Sequence, residues 1–354
     1  MSFLSRLAIL FFCLVFSIVS FANTKPVDGL RDYNGTYEGS PGTGNIAYST
    51  LWRDNYDNGN LSGCNGEGCG KHYGVDIPMS SGTPVKASFS GTIVKATCDQ
   101  NGFGNYIVIE VNNPYKSGKA YLVYAHLRAI YYYSGYITEG SVIGESGGGL
   151  NDSCRGNSTG SHLHFQVDKA FNGYPFFVNN VNIPDTNFEI TQSTYNPVVF
   201  VTGGYNWTFE SNGNYEYWTD INTSSSYVNS GLYWIDGNND PYIWRNGLVG
   251  CGRSKPCSTE IAAEADMYKY VIVQLDTMCV YNPAKIYFKT SLDYTWSESK
   301  SISFNYGGPG TYWIYMGSNS NWSGIIRNLR IDPAVNCNPN ASDPSYFYQI
   351  KLVN

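Results

Sequence analysis

The chain has 354 residues, with 22 Lys and Arg against 28 Asp and Glu, and its formal net charge of −6 argues against a nucleic-acid partner that needs a basic face. Charged residues make up 14% of the chain, against about 25% in ordinary globular domains. With 31 Tyr and 38 Gly beside this low charge, the composition reads as all-β and extracellular.

In chain order, Arg6 precedes an apolar run from Leu7 to Val19 that ends at Ser20-Phe21-Ala22. Residues 1–22 therefore read as a signal peptide, because the run falls short of the ~20 residues a membrane-spanning helix needs and small residues lie where signal peptidase cuts. Cys13 sits inside the run, which speaks against lipidation, and no later run is long enough for an integral membrane segment. The expected location is secreted or periplasmic. Losing Cys13 leaves eight cysteines, an even number that favours disulfides in an exported chain. Sequence alone permits about 105 pairings; the preferred set joins Cys64 with Cys69, Cys98 with Cys154, Cys251 with Cys257, and Cys279 with Cys337.

Residues 23–50, rich in Gly, Pro, Asn and Thr without a period, are expected to form an extended leader. From 51 to 170 short β-like runs alternate with Gly or Asn turns: Pro84–Ala87, Gly91–Ala96, Tyr106–Val111, Tyr121–Ala125 and His162–Val167. That spacing predicts an antiparallel β-sheet domain. Residues 171–202 are Asn- and Pro-rich and are placed as a linker. Residues 203–354 hold seven of the eight Trp and strand-like runs at Lys285–Lys289 and Ile325–Ile331, which suit a β-sandwich.

All four histidines, His72, His126, His162 and His164, fall in the first of these domains. In a strand over Ser161–Val167, His162 and His164 point to one face and Leu163 to the other. His72, Gly74 and Asp76 repeat that parity, but full extension would hold His72 and Asp76 ~13 Å apart, so a bend at Gly74 is expected to bring them to one ion. A hydrogen-bonded strand role would account for any one of these histidines alone; four in so narrow a window point to a shared site. Two imidazoles and one carboxylate make a three-ligand zinc set with room for water, which leads to a hydrolase. By chemistry alone the same set also suits non-haem iron or copper.

The segments His72-x-Gly74-x-Asp76, Tyr124-Ala125-His126 and Gly156-Asn157-Ser158-Thr159-Gly160-Ser161-His162-Leu163-His164-Phe165 resemble the signature of lysostaphin/LytM-type zinc metalloendopeptidases. The resemblance covers residues 70–168 and is also carried by Gly82-Thr83-Pro84-Val85 and Phe103-Gly104-Asn105-Tyr106. It implies one Zn2+ held by His72, Asp76 and His164, with His162 as general base and His126 assisting it or stabilising an oxyanion, the two roles being exchangeable. It also implies peptidoglycan cross-links, at bonds involving Gly or D-amino acids, as substrate. The chain departs from the family around Cys98–Asn101 and Gly147–Arg155, where the loops look longer and each carries one cysteine. A Cys98–Cys154 bridge beside the cleft is the expectation.

Behind the linker, Gly324–Pro333 and Tyr348–Val353 resemble the last strands of galactose-binding-like jelly rolls. A glycan or cell-wall polysaccharide is the partner this implies, with Trp and Tyr rings stacking on sugars, and core packing is the competing use of those rings. Two other functions stay open: an exported metalloprotease acting on Gly-rich proteins, and a non-catalytic wall- or glycan-binding protein.

Overall fold

Eight strands carry the period-two alternation of the N-terminal half: β1 (Gly74–Pro78), β2 (Pro84–Lys86), β3 (Gly91–Asp99), β4 (Gly104–Asn112), β5 (Lys119–Ile130), β6 (Gly135–Ile137), β7 (Val142–Ser146) and β8 (His162–Asp168). The computed structural model describes residues 23–53, 72–177, 189–245, 248–251, 255–258, 261–277, 283–290, 293, 295–333 and 343–354, with backbone only at 237–240, 248–251, 255–258 and 343. The expected signal peptide and Cys64, Cys69, Cys279 and Cys337 lie outside the described residues, as do the side chains of Cys251 and Cys257.

The sheet runs β1-β8-β5-β4-β3-β6, with β7 joining β5 to β2 and Thr194–Tyr195 added to β8, and every strand pairing is antiparallel. One face buries Leu163, Phe165 and Val167 of β8 with Leu122 and Tyr124 of β5 in the main core. Full burial of each such side chain stabilises by roughly 1.5–3 kcal/mol. The other face carries His164 opposite Ala125 and Asp76, and beside them Phe103, Tyr106, Val108, Val123 and Ala125 form a second apolar cluster. The candidate site therefore sits mainly on the sheet, with His72 just before β1.

The C-terminal half is a ten-stranded antiparallel sheet plus a hairpin of Leu248–Cys251 and Lys255–Ser258. Its long strand Tyr233–Arg245 pairs with Asp343–Val353 through its first half and with Ile325–Asp332 through Ile243 and Trp244. The sheet divides there into two halves, and Ile235, Ile243, Val273, Phe288, Leu329 and Ile350 lie in the core. The all-β, antiparallel expectation is met in both halves.

Two boundaries differ from the sequence expectation. Residues 23–50, expected as an extended leader, are packed into the structure: Val27 and Leu30 are fully buried, and Asn34 donates to Glu216 while its backbone carbonyl accepts from Trp207 and Arg245. The end of this segment pairs along β1, through Ser49 N–H to Asp76 O, Asp76 N–H to Thr50 O, and Arg53 N–H to His72 O. β1 would otherwise expose an edge of unpaired backbone groups. The second half of the expected linker is likewise core. Helices α1 (Glu189–Ser193) and α2 (Pro197–Thr202) lie there, α2 capped by Asn196, opened by proline and closed by Gly203 at φ 81°. Val198, Val199, Phe200 and Val201 of α2 are fully buried.

Candidate metal centre

Three backbone features bring the histidines together. In the β1–β8 register Asp76 lies directly opposite His164. His72 precedes β1, and its Nε2 reaches to 3.2 Å from Asp76 Oδ1. Gly74 also has a steric role beside the bend expected of it: a Cβ there would meet Phe165 O at 2.6 Å and His164 Nε2 at 2.8 Å, so glycine makes room for the His164 ring. The third feature is His126, at φ +57°, in the left-handed region that non-glycine residues seldom adopt. It falls where the β4–β5 register slips between the Asn105–Leu127 and Ile107–Tyr124 pairs, an irregularity of the kind that re-aims a side chain.

One donor atom each from His72, Asp76 and His164 lies within 4.8 Å of the other two, so the three can hold a metal ion. His72 Nε2 is 3.1 Å from His164 Nδ1, and Asp76 Oδ1 is 3.0 Å from His164 Nδ1. His162 Nε2 lies 3.6 Å from the same Asp76 oxygen. The His126 ring packs 4.7 Å from that of His162. All four histidines thus converge, as their sequence clustering predicts.

Each imidazole is oriented by an acceptor on its far side. Carbonyl oxygens only accept, so Nδ1–H of His72 donates to Leu51 O at 3.0 Å, that of His126 to Arg155 O at 2.9 Å, and that of His162 to Gly160 O at 2.8 Å. In His164 the order is reversed: Nε2–H donates to Gln166 Oε1 at 3.1 Å, which turns Nδ1 toward Asp76. These outer contacts fix the tautomer that a metal ligand requires. The Cys98–Cys154 disulfide is present as expected. It clamps the loop whose next residue, Arg155, orients His126.

The electrostatics agree with this arrangement. Burial works against ionising Asp76, yet the surrounding His72, His162 and His164 hold its carboxyl well below the usual range. Burial, reinforced by the neighbouring His162 and His164, pushes His126 down to about 3, and burial also lowers His164. Farther along β8, burial raises the Asp168 carboxyl to about 7. Phe103 and Tyr174 border the site, their rings 5.6 Å apart, and Phe103 lies 5.6 Å from the His164 ring.

Leu51, Arg155, Gly160, Gln166 and Asp168 add to the site beyond the sequence expectation. The first three act through backbone carbonyls, which carry no sequence signal. Gln166 and Asp168 did have one, because the parity that joins His162 to His164 continues through them.

Residues 70–177 match the model of Peptidase family M23. The matched stretch contains all four histidines. Lysostaphin of Staphylococcus simulans is 40% identical over 125 residues, 34% of this chain and 23% of that protein. The glycyl-glycine endopeptidase ALE-1 of Staphylococcus capitis is 38% identical over 34% of this chain and 31% of its own length. The DD-carboxypeptidase/endopeptidase Mpg of Neisseria meningitidis is 34% identical over 34% of this chain and 25% of its own length. A solved lysostaphin catalytic domain from S. simulans aligns with 44% of this chain and 92% of that one, at 31% identity and a TM-score of 0.30. The chain thus spans about a quarter to a third of the length of these curated relatives. The relatives support a peptide hydrolase.

Proposed function

We propose that this chain is a secreted zinc endopeptidase that cleaves peptide cross-links of bacterial peptidoglycan. The observation that carries the reading is the convergence of His72, Asp76 and His164 donor atoms within 4.8 Å, each imidazole oriented by an acceptor behind it. Two neutral imidazoles and a carboxylate suit zinc with an open position. The names of two relatives supply the bond classes, glycyl-glycine for one and DD-peptide for the other, and both kinds of bond occur in wall peptides. An exported location follows from that substrate and from the N-terminal sequence, and among the described residues no helix is long and apolar enough to cross a membrane.

When bound, zinc lowers the pKa of a coordinated water and polarises a carbonyl. The chain's own residues handle the proton. Nδ1–H of His162 is committed to Gly160 O, which leaves Nε2 as a proton acceptor on the site side, and this side chain is 16% exposed. His162 is accordingly the general base and later returns the proton to the leaving amine. His126 is more deeply buried and held neutral, with Nδ1–H donated to Arg155 O. Its Nε2 assists by accepting a hydrogen bond and can donate to an oxyanion only after gaining a proton.

The test is release of amino groups from purified peptidoglycan, against a Gly-rich protein as alternative substrate. Wild type is expected to act on peptidoglycan, with chelator and His164→Ala each abolishing release and His164→Ala lacking bound zinc. A His164→Ala chain that kept full lytic activity would overturn the assignment, and preference for the Gly-rich protein would favour the metalloprotease alternative.

The C-terminal sheet supports a second role, attachment to wall glycan. Trp207, Trp218 and Trp322 are buried and serve the core, but Trp313 is 49% and Tyr315 47% exposed. In the strand register Trp313 and Tyr315 lie opposite Ile272 and Tyr270, and the Tyr270 ring is 5.2 Å from Tyr315 and 6.1 Å from Trp313. Such a platform fits the apolar face of a sugar ring and would hold a tethered catalyst near its substrate. The full chain with Trp313→Ala and Tyr315→Ala is expected to leave the pellet when sedimented with sacculi, while still cleaving a small soluble peptide. Unchanged sedimentation would sink glycan binding at this face.

A further inference from the structure

Strand β8 places His162, His164, Gln166 and Asp168 at alternate positions, hence on one face. The first two are already placed in the site. The other two are fully or almost fully buried and bonded to each other: Gln166 Nε2–H donates to Asp168 Oδ1 at 2.6 Å and to Phe176 O at 2.9 Å. The second Asp168 oxygen accepts from Phe176 N–H at 2.8 Å, and Gln166 Oε1 faces His164 Nε2 at 3.1 Å.

This network leaves the Gln166 amide a single orientation. One end of it faces two acceptors, a carboxylate oxygen and a backbone carbonyl, and only an NH2 group satisfies both. The other end must then be the carbonyl, which forces His164 to carry its proton on Nε2 and to present an unprotonated Nδ1 toward His72 and Asp76. If the amide flipped, oxygen would face two oxygens and its NH2 would face Nε2, favouring the opposite tautomer and placing a proton on the nitrogen that faces Asp76. Asp168 suits this task better than its amide would, because both its oxygens are used as acceptors; an Asn there has one acceptor for two donors.

We propose that Gln166 and Asp168, braced by the backbone of Phe176, are positioning residues that set the tautomer of His164 and through it the metal affinity of the centre. The proposal rests on the reading of His72, Asp76 and His164 as metal ligands. It assigns a function to two buried polar groups that the peptidase mechanism leaves unused, and it ties the segment carrying Tyr174 to the centre through Phe176.

The experiment uses the full chain, stripped of metal at pH 8, with 15N-labelled histidine. Only four histidines are present, so the ring-nitrogen spectrum is small enough to assign. The wild type is expected to show one Nε2–H imidazole, His164, and three Nδ1–H imidazoles. In Asp168→Asn and in Gln166→Leu, His164 should move to a mixture of tautomers or to Nδ1–H. Zinc affinity, read by competition with a chromophoric chelator, should fall about 10–100-fold, the range for losing an outer-shell partner. Gln166→Leu replaces the amide with an apolar side chain of comparable bulk, and a near-UV spectrum matching wild type would show that the packing survives in whichever variant is read. The proposal is overturned if His164 is Nδ1–H in the wild type, or if a folded variant keeps both the tautomer and zinc affinity within twofold. A wild-type chain that binds no zinc would instead overturn the metal reading beneath it.

Discussion

The carbonyl oxygen of Arg155 lies 2.9 Å from Nδ1 of His126, while the backbone N–H of His126 donates to Phe103 O at 2.9 Å. The two carbonyls belong to loops that begin beside Cys154 and Cys98, and the disulfide joins those loops. His126 is therefore gripped at its ring and at its backbone by segments that one covalent bond holds together. Replacing both cysteines, Cys98→Ser with Cys154→Ser, is expected to lower kcat about 10–100-fold, since a misplacement near 1 Å is worth about that much, with KM and zinc content little changed. The bond closes a separation of 56 residues, for which the chain-entropy argument gives about 4 kcal/mol. Urea unfolding beside steady-state kinetics would measure both effects, and an unchanged kcat would remove the disulfide from the positioning of His126.

Gly74→Ala should damage the centre without replacing any of His72, Asp76 and His164. Its methyl would press on Phe165 O and on the His164 ring, and since Phe165 O is backbone, the imidazole must yield. Zinc affinity is expected to drop at least about tenfold, as read by chelator competition. Tight binding in this variant would show that the β1–β8 approach is looser than the structure describes.

Glu216 provides a pH signature remote from the histidines. Burial pushes its carboxyl up to about 7, although Asn34, Phe209 N–H and Thr208 N–H all donate to it. A carboxyl whose folded pKa lies above its unfolded one binds more protons when folded, so stability is highest below about 4.5 and declines as pH rises toward 7. The contribution lost is on the order of 3 kcal/mol. His126, His164 and Asp168 also titrate differently on folding, so the measurement is the difference between wild type and Glu216→Gln: between pH 4.5 and 8 the wild-type urea midpoint should fall relative to that of the variant. A difference that stays constant across the window would contradict the assignment.

Asn34→Ala tests whether residues 23–53 are structural. Asn34 is fully buried, its side chain accepting from Thr36 and donating to Glu216. Its loss leaves buried polar groups short of partners, each worth about 1–3 kcal/mol. A fall of that size in unfolding free energy is expected, coupled to the Glu216→Gln change in a double-mutant cycle. Additive effects would mean that the two residues do not act together.

The convergence of His72, Asp76 and His164 was legible in the sequence because strand parity and histidine scarcity are both one-dimensional signals. His162 and His164 share a face by alternation alone, and their continuation through Gln166 and Asp168 could have been read the same way. The positions of Leu51, Arg155 and Gly160 could not, since a carbonyl is common to every residue and its placement depends on the tertiary fold. The steric role of Gly74 is not legible for a related reason: the sequence shows that a side chain is missing but not which neighbour needs the space. The packing of residues 23–50 and of 189–202 is not legible because Gly-, Pro- and Asn-rich composition marks turns, and turns pack as well as dangle. Val27 and Leu30 in the one and Val198–Val201 in the other were the apolar cues that composition outweighed.

The segment ending at Leu51 is paired along the strand that bears Asp76, and further back it is bonded into the sheet that bears Trp207 and Arg245. The histidine-bearing sheet and the C-terminal sheet are consequently buttoned together by a third stretch of chain, not strung as beads on a leash. On the proposed reading, the reach from a gripped glycan to a cleaved bond would be set by this molecule's own dimensions.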